Sequence, residues 1–335
     1  MRTISVTVQN LCAPCGCTCR YCLLQACKKG GGVDYYRGKR IAEKFVEWSK
    51  TNSALGTPGY YIGHCAEYPQ LFDNIAFNRA SGAPVGGRYL QCNGIKVRDQ
   101  KECDAFAAQL KGAGVDMVDV TFFGDEAYHD QFAGREGDHS FMLQFAHSAV
   151  KAGIQCIPTY VITEENKGML DELLSALRQV ADISDIHGFL PDHRGRGYLL
   201  ESARLTRASY EALSDAVKST VNIGRYKTEQ EWLSCGRLPE YTNREVTVNL
   251  REDNIERFER MGCEEIIEYV EKLDDAYYES IPTINELARM YGDSTNMRLY
   301  RLRDLFWKWQ KRYIAENGID IYDVTDERLC CTVRS

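Results

Sequence analysis

The sequence lacks any apolar run long enough to span a bilayer, and its first residues lack the apolar stretch of a secretory signal. We therefore expect a cytoplasmic protein that does not enter a membrane. In a reducing compartment its 14 cysteines are not a disulfide framework. An excess of basic residues is also missing, because the formal net charge is −7. This balance argues against a general surface for nucleic acid or other polyanions.

The length of 335 residues leaves room for one large domain, or for a domain with an appendage. With 44% hydrophobic residues the chain can bury a substantial core. Strand and helix patterns alternate up to about residue 200, and helical patterns follow. We therefore expect a core domain over residues 1–204 and a helical C-terminal domain over residues 205–335.

Cysteines crowd near the N-terminus, where six of them lie between Cys12 and Cys27 directly after an alternating apolar run that predicts a strand. Cys15, Cys19 and Cys22 alone among them have the spacing Cys-x3-Cys-x2-Cys. Thiolates on a flexible loop are strong ligands for an iron–sulfur cluster. Three thiolates leave one iron of a four-iron cluster open, and a substrate or cofactor can bind there.

Two other metal sites compete with this interpretation. A zinc ribbon uses paired Cys-x2-Cys units a dozen or more residues apart, and no second pair follows at that spacing. A ferredoxin-type site needs a fourth thiolate, which Cys12, Cys17 or Cys27 could supply. A ferredoxin-like electron carrier therefore stays open as an alternative.

The cysteine triplet, with Tyr21 just before its last member, resembles the signature of the radical S-adenosylmethionine (SAM) superfamily. The resemblance implies a [4Fe-4S] cluster on Cys15, Cys19 and Cys22, with the amino and carboxylate groups of SAM on the open iron. It implies that an electron from the cluster cleaves SAM to methionine and a 5′-deoxyadenosyl radical, which takes hydrogen from a substrate. It also implies reduced flavodoxin or ferredoxin as the electron donor.

The order of the later segments extends this resemblance over about residues 3–200. Six alternations of strand and helix predict a parallel sheet. In the superfamily such units form a partial (β/α)6 barrel, with the cluster at the mouth made by the C-terminal ends of the strands. Parallel βα folds generally carry their chemistry at those ends. We expect this barrel, followed by a mainly helical C-terminal region.

Several strand ends resemble those of the sulfatase-maturase-like (SPASM-type) enzymes. Gln91-Cys92-Asn93-Gly94 is similar to their Gln-Thr-Asn-Gly segment, and Thr121 stands where they have a serine that contacts SAM. Gly63, Glu67 and Pro69 loosely match the Gly-Gly-Glu-Pro segment that holds the SAM amino group. The SAM-binding residues that the resemblance implies are Tyr21, Gly63, Glu67, Gln91, Asn93 and Thr121.

The chain also departs from that pattern. Phe123 replaces an aspartate, and Ala133 stands where the family has an arginine that pairs with the SAM carboxylate. Arg135 could substitute for it, because a guanidinium on a loop can reach a carboxylate. Asn166 could be a helix cap or a SAM ligand. The maturase-like core favours a peptide or protein as substrate.

Other strand-end residues could face a substrate, although such residues are more often structural or solvated. These candidates are His64, His129, His193 and Arg196.

The C-terminal stretch offers two further hypotheses. Residues 283–292 and 294–317 have the spacing of a helix-turn-helix with an arginine-rich second helix, which would suit a nucleic-acid-modifying radical SAM enzyme. We favour two packed helices whose charges face water, given the acidic total. The stretch lacks the dense C-terminal cysteines of SPASM-type enzymes, but four cysteines could still converge on an auxiliary cluster: Cys235, Cys263, Cys330 and Cys331.

Overall fold

A computed structural model describes residues 5–10, 15–22, 32–62, 65–83, 86–193, 195–239 and 245–319. Its strands are β1 (Ser5–Asn10), β2 (Gly59–Tyr61), β3 (Tyr89–Gln91), β4 (Met117–Phe122), β5 (Gln155–Val161), β6 (His187–Phe189), β7 (Lys227–Thr228), β8 (Glu245–Leu250) and β9 (Leu299–Tyr300). Its α-helices are α1 (Tyr35–Ser49), α2 (Leu71–Ser81), α3 (Gln100–Gly112), α4 (Glu126–Ala133), α5 (Asp138–Lys151), α6 (Leu170–Leu177), α7 (Arg207–Glu211), α8 (Asp215–Ser219), α9 (Glu229–Leu233), α10 (Ile255–Arg260), α11 (Cys263–Ser280), α12 (Ile284–Tyr291) and α13 (Leu302–Asn317).

The larger strands form two parallel sheets, in the orders β2-β1-β8 and β3-β4-β5-β6. Parallel neighbours need crossover connections, and helices α1 to α6 supply them between the first six strands. A parallel bridge between Gly188 and Val221 extends the edge at β6. The predicted α/β class with parallel strands is confirmed, while a partial barrel and a domain boundary at residue 204 stay predictions.

Strand β8 pairs with β1 along its whole length, from Ser5 opposite Glu245 to Asn10 opposite Leu250. Because it comes from the stretch expected to be helical, that expectation is wrong for residues 245–250. It is also wrong for the short antiparallel pair β7 and β9. The rest of the described C-terminal stretch is mainly helical. Side chains alternate along β8 as in a strand, with Val248 fully buried.

Alternate positions of the strands point to opposite faces. One face is apolar and packs in the main core with the helices, as Val118, Val120 and Tyr160 do without any exposed surface. We call the opposite side the polar face; it carries Gln9, Tyr61, Tyr89, Gln91, Asp119, Thr121, Thr159 and His187. The Tyr61 hydroxyl donates to Gln91 Oε1 at 3.5 Å, so the polar faces of the two sheets adjoin.

Local sequence signals set the helix ends. Asp99 accepts a hydrogen bond from Glu102 N at 2.8 Å and completes a capping box at the start of α3. The Thr-x-x-Glu spacing predicts capping boxes at Thr228 with Glu231 and at Thr283 with Glu286, and both are present in the structure. In the described ranges no helix combines the length and apolar character needed to cross a membrane.

The C-terminal helices have a second apolar core, which includes Leu287, Leu305 and Trp309. The final helix begins at Leu302 and not at the predicted residue 294, because β9 occupies part of the interval. Residues 292–301 separate α12 from α13. That interval is longer than the short turn of a helix-turn-helix, so the spacing predicted for this motif is wrong.

Candidate cofactor site

The predicted cluster cysteines lie on residues 15–22, which we call the cysteine loop. Backbone hydrogen bonds tie it to the turn after β3 and to the end of α4: Gly16 N donates to Gly94 O at 2.8 Å, and Thr18 N donates to Ala133 O at 2.8 Å. Arg196 N donates to Cys22 O at 3.0 Å and joins the loop to the turn after β6. The loop therefore lies at the C-terminal ends of parallel strands, where such folds carry their chemistry.

The loop fits its surroundings closely. Gly94 has a φ of 72°, and a Cβ built there would overlap the Cys15 sulfur. A Cβ on Gly16 would come within 2.8 Å of Arg135 Nη1. Small residues at these two positions therefore leave the space in which the loop and the Cys15 sulfur lie.

The described cysteines of the loop have different environments. Cys22 is 7% exposed, while Cys15 and Cys19 are partly exposed. Cys17 is 2% exposed, and its thiol donates to Asp138 Oδ2 at 3.5 Å. Of the three candidates for a fourth ligand, Cys17 is thus directed towards Asp138, and Cys12 and Cys27 lie outside the described residues.

An apolar wall borders the loop. Phe123 stacks on Phe132 with ring centroids 4.4 Å apart, and Tyr21 meets Phe123 edge-on at 5.4 Å. Cys15 and Cys19 pack against the same cluster. Such surroundings exclude water and tune the reduction potential of an iron–sulfur centre.

Three thiols on one short loop beside an apolar wall fit the donor chemistry of an iron–sulfur cluster. Across the described ranges no three His, Cys, Asp or Glu side chains converge closely enough to hold one metal ion. Each cysteine of a four-iron cluster binds a different iron, so its sulfurs lie farther apart than the ligands of a single ion.

A buried network braces the loop from behind. Asp138, which is 1% exposed, pairs with Arg135 and accepts from its Nε at 3.0 Å. Arg135 Nη1 also donates to Ile95 O at 2.6 Å. Burial raises the pKa of Asp138, but hydrogen bonds from His129 and Arg135 outweigh it and hold the pKa below its usual value. Arg135 thus has a carboxylate partner within the protein.

His129 belongs to this network and is fully buried. Its Nδ1 accepts from Phe123 N at 3.3 Å, and its Nε2 lies 3.1 Å from Asp138 Oδ2. Since Nδ1 accepts, Nε2 carries the proton and donates to the carboxylate. The hypothesis that His129 faces a substrate is therefore wrong.

Two of the predicted SAM contacts bind each other. Asn93 Nδ2 donates to Thr121 O at 2.8 Å, and Thr121 N donates to Asn93 Oδ1 at 2.6 Å. Asn93 thereby clamps the ends of β3 and β4 together. Thr121 Oγ1 lies 2.8 Å from Thr159 Oγ1 on β5. Desolvation raises the pKa of Tyr21 well above its usual value, and the nearby Cys19 adds to this shift.

The other predicted contacts are spread more widely. Glu67 Oε1 accepts from Arg98 Nη1 at 2.6 Å, so this carboxylate has a partner within the protein. Gln91 is exposed on the polar face, and Gly63 lies outside the described residues. The structure therefore groups Tyr21, Asn93 and Thr121 beside the cysteine loop and directs Glu67 elsewhere.

The remaining strand-end candidates differ in surroundings. His193 is 8% exposed, with Nδ1 3.7 Å from Glu201 Oε2, and His64 lies outside the described residues. Arg196 contacts the loop through its backbone. Asn166 is 1% exposed and donates to the carbonyls of Phe123 and Val161, which gives it a structural role.

Several cations of the final helix are paired with carboxylates, whereas Lys311 lies over the Tyr198 ring. Arg303 lies 3.0 Å from Asp192, and Lys308 lies 3.1 Å from both Glu201 and Glu229. This pairing agrees with the two packed helices that we favoured and leaves less charge for nucleic acid.

The auxiliary-cluster hypothesis gains no support from the described cysteines. Cys235 is exposed beside Lys227, whereas Cys263 packs against the main core at the start of α11. Cys330 and Cys331 lie outside the described residues.

Sequence reasoning missed Asp138, and also Asp119, which accepts a hydrogen bond from Tyr89 at 2.7 Å. The alternation of polar and apolar residues along β4 was a usable signal for Asp119. No sequence pattern pointed to Asp138, because the partners that define its role lie outside its own helix α5.

Comparison with known proteins places this arrangement among solved folds. No protein-family model matches the chain, and no curated protein sequence matches it. The structure of anSMEcpe with bound AdoMet and Cp18Cys peptide is similar at a TM-score of 0.51 and 13% identity, over 79% of this chain and 80% of that one.

Two further structures are similar at lower scores. Streptococcus suis SuiB bound to S-adenosylmethionine has a TM-score of 0.39 at 11% identity, and the match covers 56% of this chain and 41% of SuiB. Escherichia coli coproporphyrinogen III oxidase (HemN), described as a radical SAM enzyme, has a TM-score of 0.37 at 12% identity over 64% of this chain and 48% of HemN.

The similarity to anSMEcpe concerns the fold. The two chains share a mixed α/β fold with parallel strands. This fold agrees with the resemblance drawn from the cysteine motif, and the assignment to the radical SAM superfamily stays a proposal.

Proposed function

We propose that this chain is a radical SAM enzyme, with a [4Fe-4S] cluster on Cys15, Cys19 and Cys22. The observation that carries this proposal is the attachment of the cysteine loop to the turns after β3 and β6. A fold similar to a structure solved with bound AdoMet supports it. In this proposal the two parallel sheets form the wall of a partial (β/α)6 barrel. The cluster, when bound, supplies the electron that splits SAM into methionine and a 5′-deoxyadenosyl radical.

The residues of the chain then have distinct tasks. Tyr21, Phe123 and Phe132 exclude water from the loop. Asn93 fixes the ends of β3 and β4, which positions the Thr121 hydroxyl towards the polar face. Gln91 and the backbone around Gly63 and Glu67 complete the SAM site. Reduced flavodoxin or ferredoxin delivers the electron.

We assign a peptide or protein as the substrate class. The maturase-like strand ends support this assignment, and so does the similarity to anSMEcpe, which was solved with a bound peptide. The hydrogen atom is taken from a carbon of that peptide at the polar face.

Anaerobic reconstitution with iron and sulfide tests the proposal. Addition of SAM should alter the electron paramagnetic resonance spectrum of the reduced cluster, and dithionite with SAM should yield 5′-deoxyadenosine. Cys15→Ala, Cys19→Ala and Cys22→Ala should each lose the cluster, whereas the exposed control Cys235→Ala should keep it. A cluster that ignores SAM, and that is also lost in Cys17→Ala, would instead identify a four-thiolate electron carrier.

A further inference from the structure

Asp119 occupies the middle of the polar face. It is the third residue of β4 and comes two residues before Thr121, which places it roughly 7 Å farther from the C-terminal end of the strand. Its register neighbours are Gln91 on β3 and Ile157 on β5. Asp119 is 9% exposed; the side chain of Gln91 on the neighbouring strand β3 is exposed, and so is that of His187 on β6, two strands away. The carboxylate is thus recessed in a surface that a ligand can reach.

The partners of this carboxylate are neutral. Oδ2 accepts from the Tyr89 hydroxyl at 2.7 Å, while Oδ1 lies 3.3 Å from Thr159 Oγ1 and 3.5 Å from Thr121 Oγ1. In the ranges that the structure describes, no Lys, Arg or His side chain comes within 4.0 Å of it as an ion-pair partner. Acidic groups in the same region are mostly paired, as Asp138 is with Arg135.

Burying an unpaired carboxylate charge at such a site costs folding free energy. Proteins therefore usually pair such a charge with a cation, or keep it because it binds a ligand. Burial raises the pKa of Asp119 above its usual value, although the hydroxyl donors around it and the nearby His187 act in the opposite direction. A cation brought in by a ligand would supply the partner that the described residues do not provide.

We infer that Asp119 is the anchor for a cationic group of the substrate, an ammonium or a guanidinium. The inference rests on the proposed function, because it takes the polar face as the place where the substrate lies. The cation could belong to a lysine or arginine side chain of a peptide, or to a small free amine. Tyr89, Thr121 and Thr159 hold the carboxylate in position for either source.

Isothermal titration of the full chain with matched probes tests the inference. The probes are Nα-acetyl-lysine N-methylamide, its neutral norleucine analogue and n-butylammonium. The lysine probe should bind at least ten times more tightly than the norleucine probe. Asp119→Asn should abolish that preference, whereas the control Asp116→Asn, at an exposed pair with Arg88, should retain it.

Equal binding of the lysine and norleucine probes, or no binding of either, would overturn the inference. A preference that survives in Asp119→Asn would overturn it too. The comparison of probes in the unaltered chain needs no variant, so a poorly folded variant cannot hide a negative result. Tighter binding of the lysine probe than of n-butylammonium indicates a peptide side chain, and the reverse order indicates a small amine.

The two proposals can fail separately. Absence of 5′-deoxyadenosine in the reconstituted chain, with a normal preference for the lysine probe, would refute the radical chemistry and leave the cation site. Formation of 5′-deoxyadenosine without that preference would refute the role of Asp119 alone.

Discussion

Replacement of Asp138 by Asn should lower the free energy of unfolding by about 3 kcal/mol, since removing one partner of a buried ion pair typically costs 3–5 kcal/mol. Asn has almost the same shape, so no cavity term is added. The low end of the range applies because Arg135 is 13% exposed and keeps its hydrogen bond to the Ile95 carbonyl. His129 Nε2 would face an amide instead of a carboxylate at a fully buried position.

Urea unfolding followed by tryptophan fluorescence measures this change. With an m value on the order of 3 kcal/mol per molar urea, the midpoint should fall by about 1 M. The matched control is Asp116→Asn, whose partner Arg88 has a side chain 66% exposed. It should leave the free energy of unfolding close to that of the wild type, because exposed ion pairs contribute little. A shift in Asp138→Asn no larger than that of the control would refute the role of the network.

The same network predicts a pH dependence. The pKa of Asp138 is lower in the folded chain than in the unfolded chain, where Asp titrates near 3.9. Its contribution to stability is therefore complete above that value and is lost as the pH falls through the lower folded pKa. Below about pH 4 the difference in unfolding free energy between the wild type and Asp138→Asn should shrink. A constant difference down to pH 2 would contradict this assignment.

Two further substitutions test other parts of the structure. Gly94→Ala should displace the Cys15 sulfur and therefore lower the amount of iron bound per chain after reconstitution. The control Gly112→Ala, where a Cβ meets nothing within 4 Å, should keep the full iron content. Equal iron content in the two variants would contradict the packing argument. Glu229→Gln should lower the free energy of unfolding by about 3 kcal/mol in urea titrations, the low end of the range for a buried ion pair, because this fully buried carboxylate pairs at 3.1 Å with a lysine that is partly exposed. The exposed control Glu256→Gln should change it by less than about 0.5 kcal/mol, and a similar loss in both would count against the buried network.

The parallel strands and the helix caps could be predicted because their signals are local. The capping box at Thr283 needs only a glutamate three residues later, and it forms as expected. Strand β8 has an equally local alternation at Val246, Val248 and Leu250, yet its partner β1 lies near the other end of the chain. Periodicity alone does not say which sheet a strand joins, so the many helical patterns around β8 predict a mainly helical region and give no partner for this strand.

The candidate site divides in the same way. The spacing of the cysteines is visible in the sequence, whereas the brace behind them is not. His129 and Asp138 come from different helices and meet only after α4 and α5 pack together. From the sequence alone, a histidine after a strand end is therefore a candidate substrate-binding residue until its burial is known. Tertiary contacts decide between structural and functional roles, which residue type and spacing leave open.

The geometry of β4 links the two proposals physically. Thr121 lies beside Asn93 and the cysteine loop, and Asp119 lies two residues farther into the polar face. The side chains of both residues point to the same face, at a spacing of roughly 7 Å. This separation is shorter than an extended lysine side chain together with its backbone. A cation held at Asp119 would therefore bring the carbons next to it close to Thr121, where we propose that SAM lies. The anchor would then select the carbon that reacts as well as the substrate that binds.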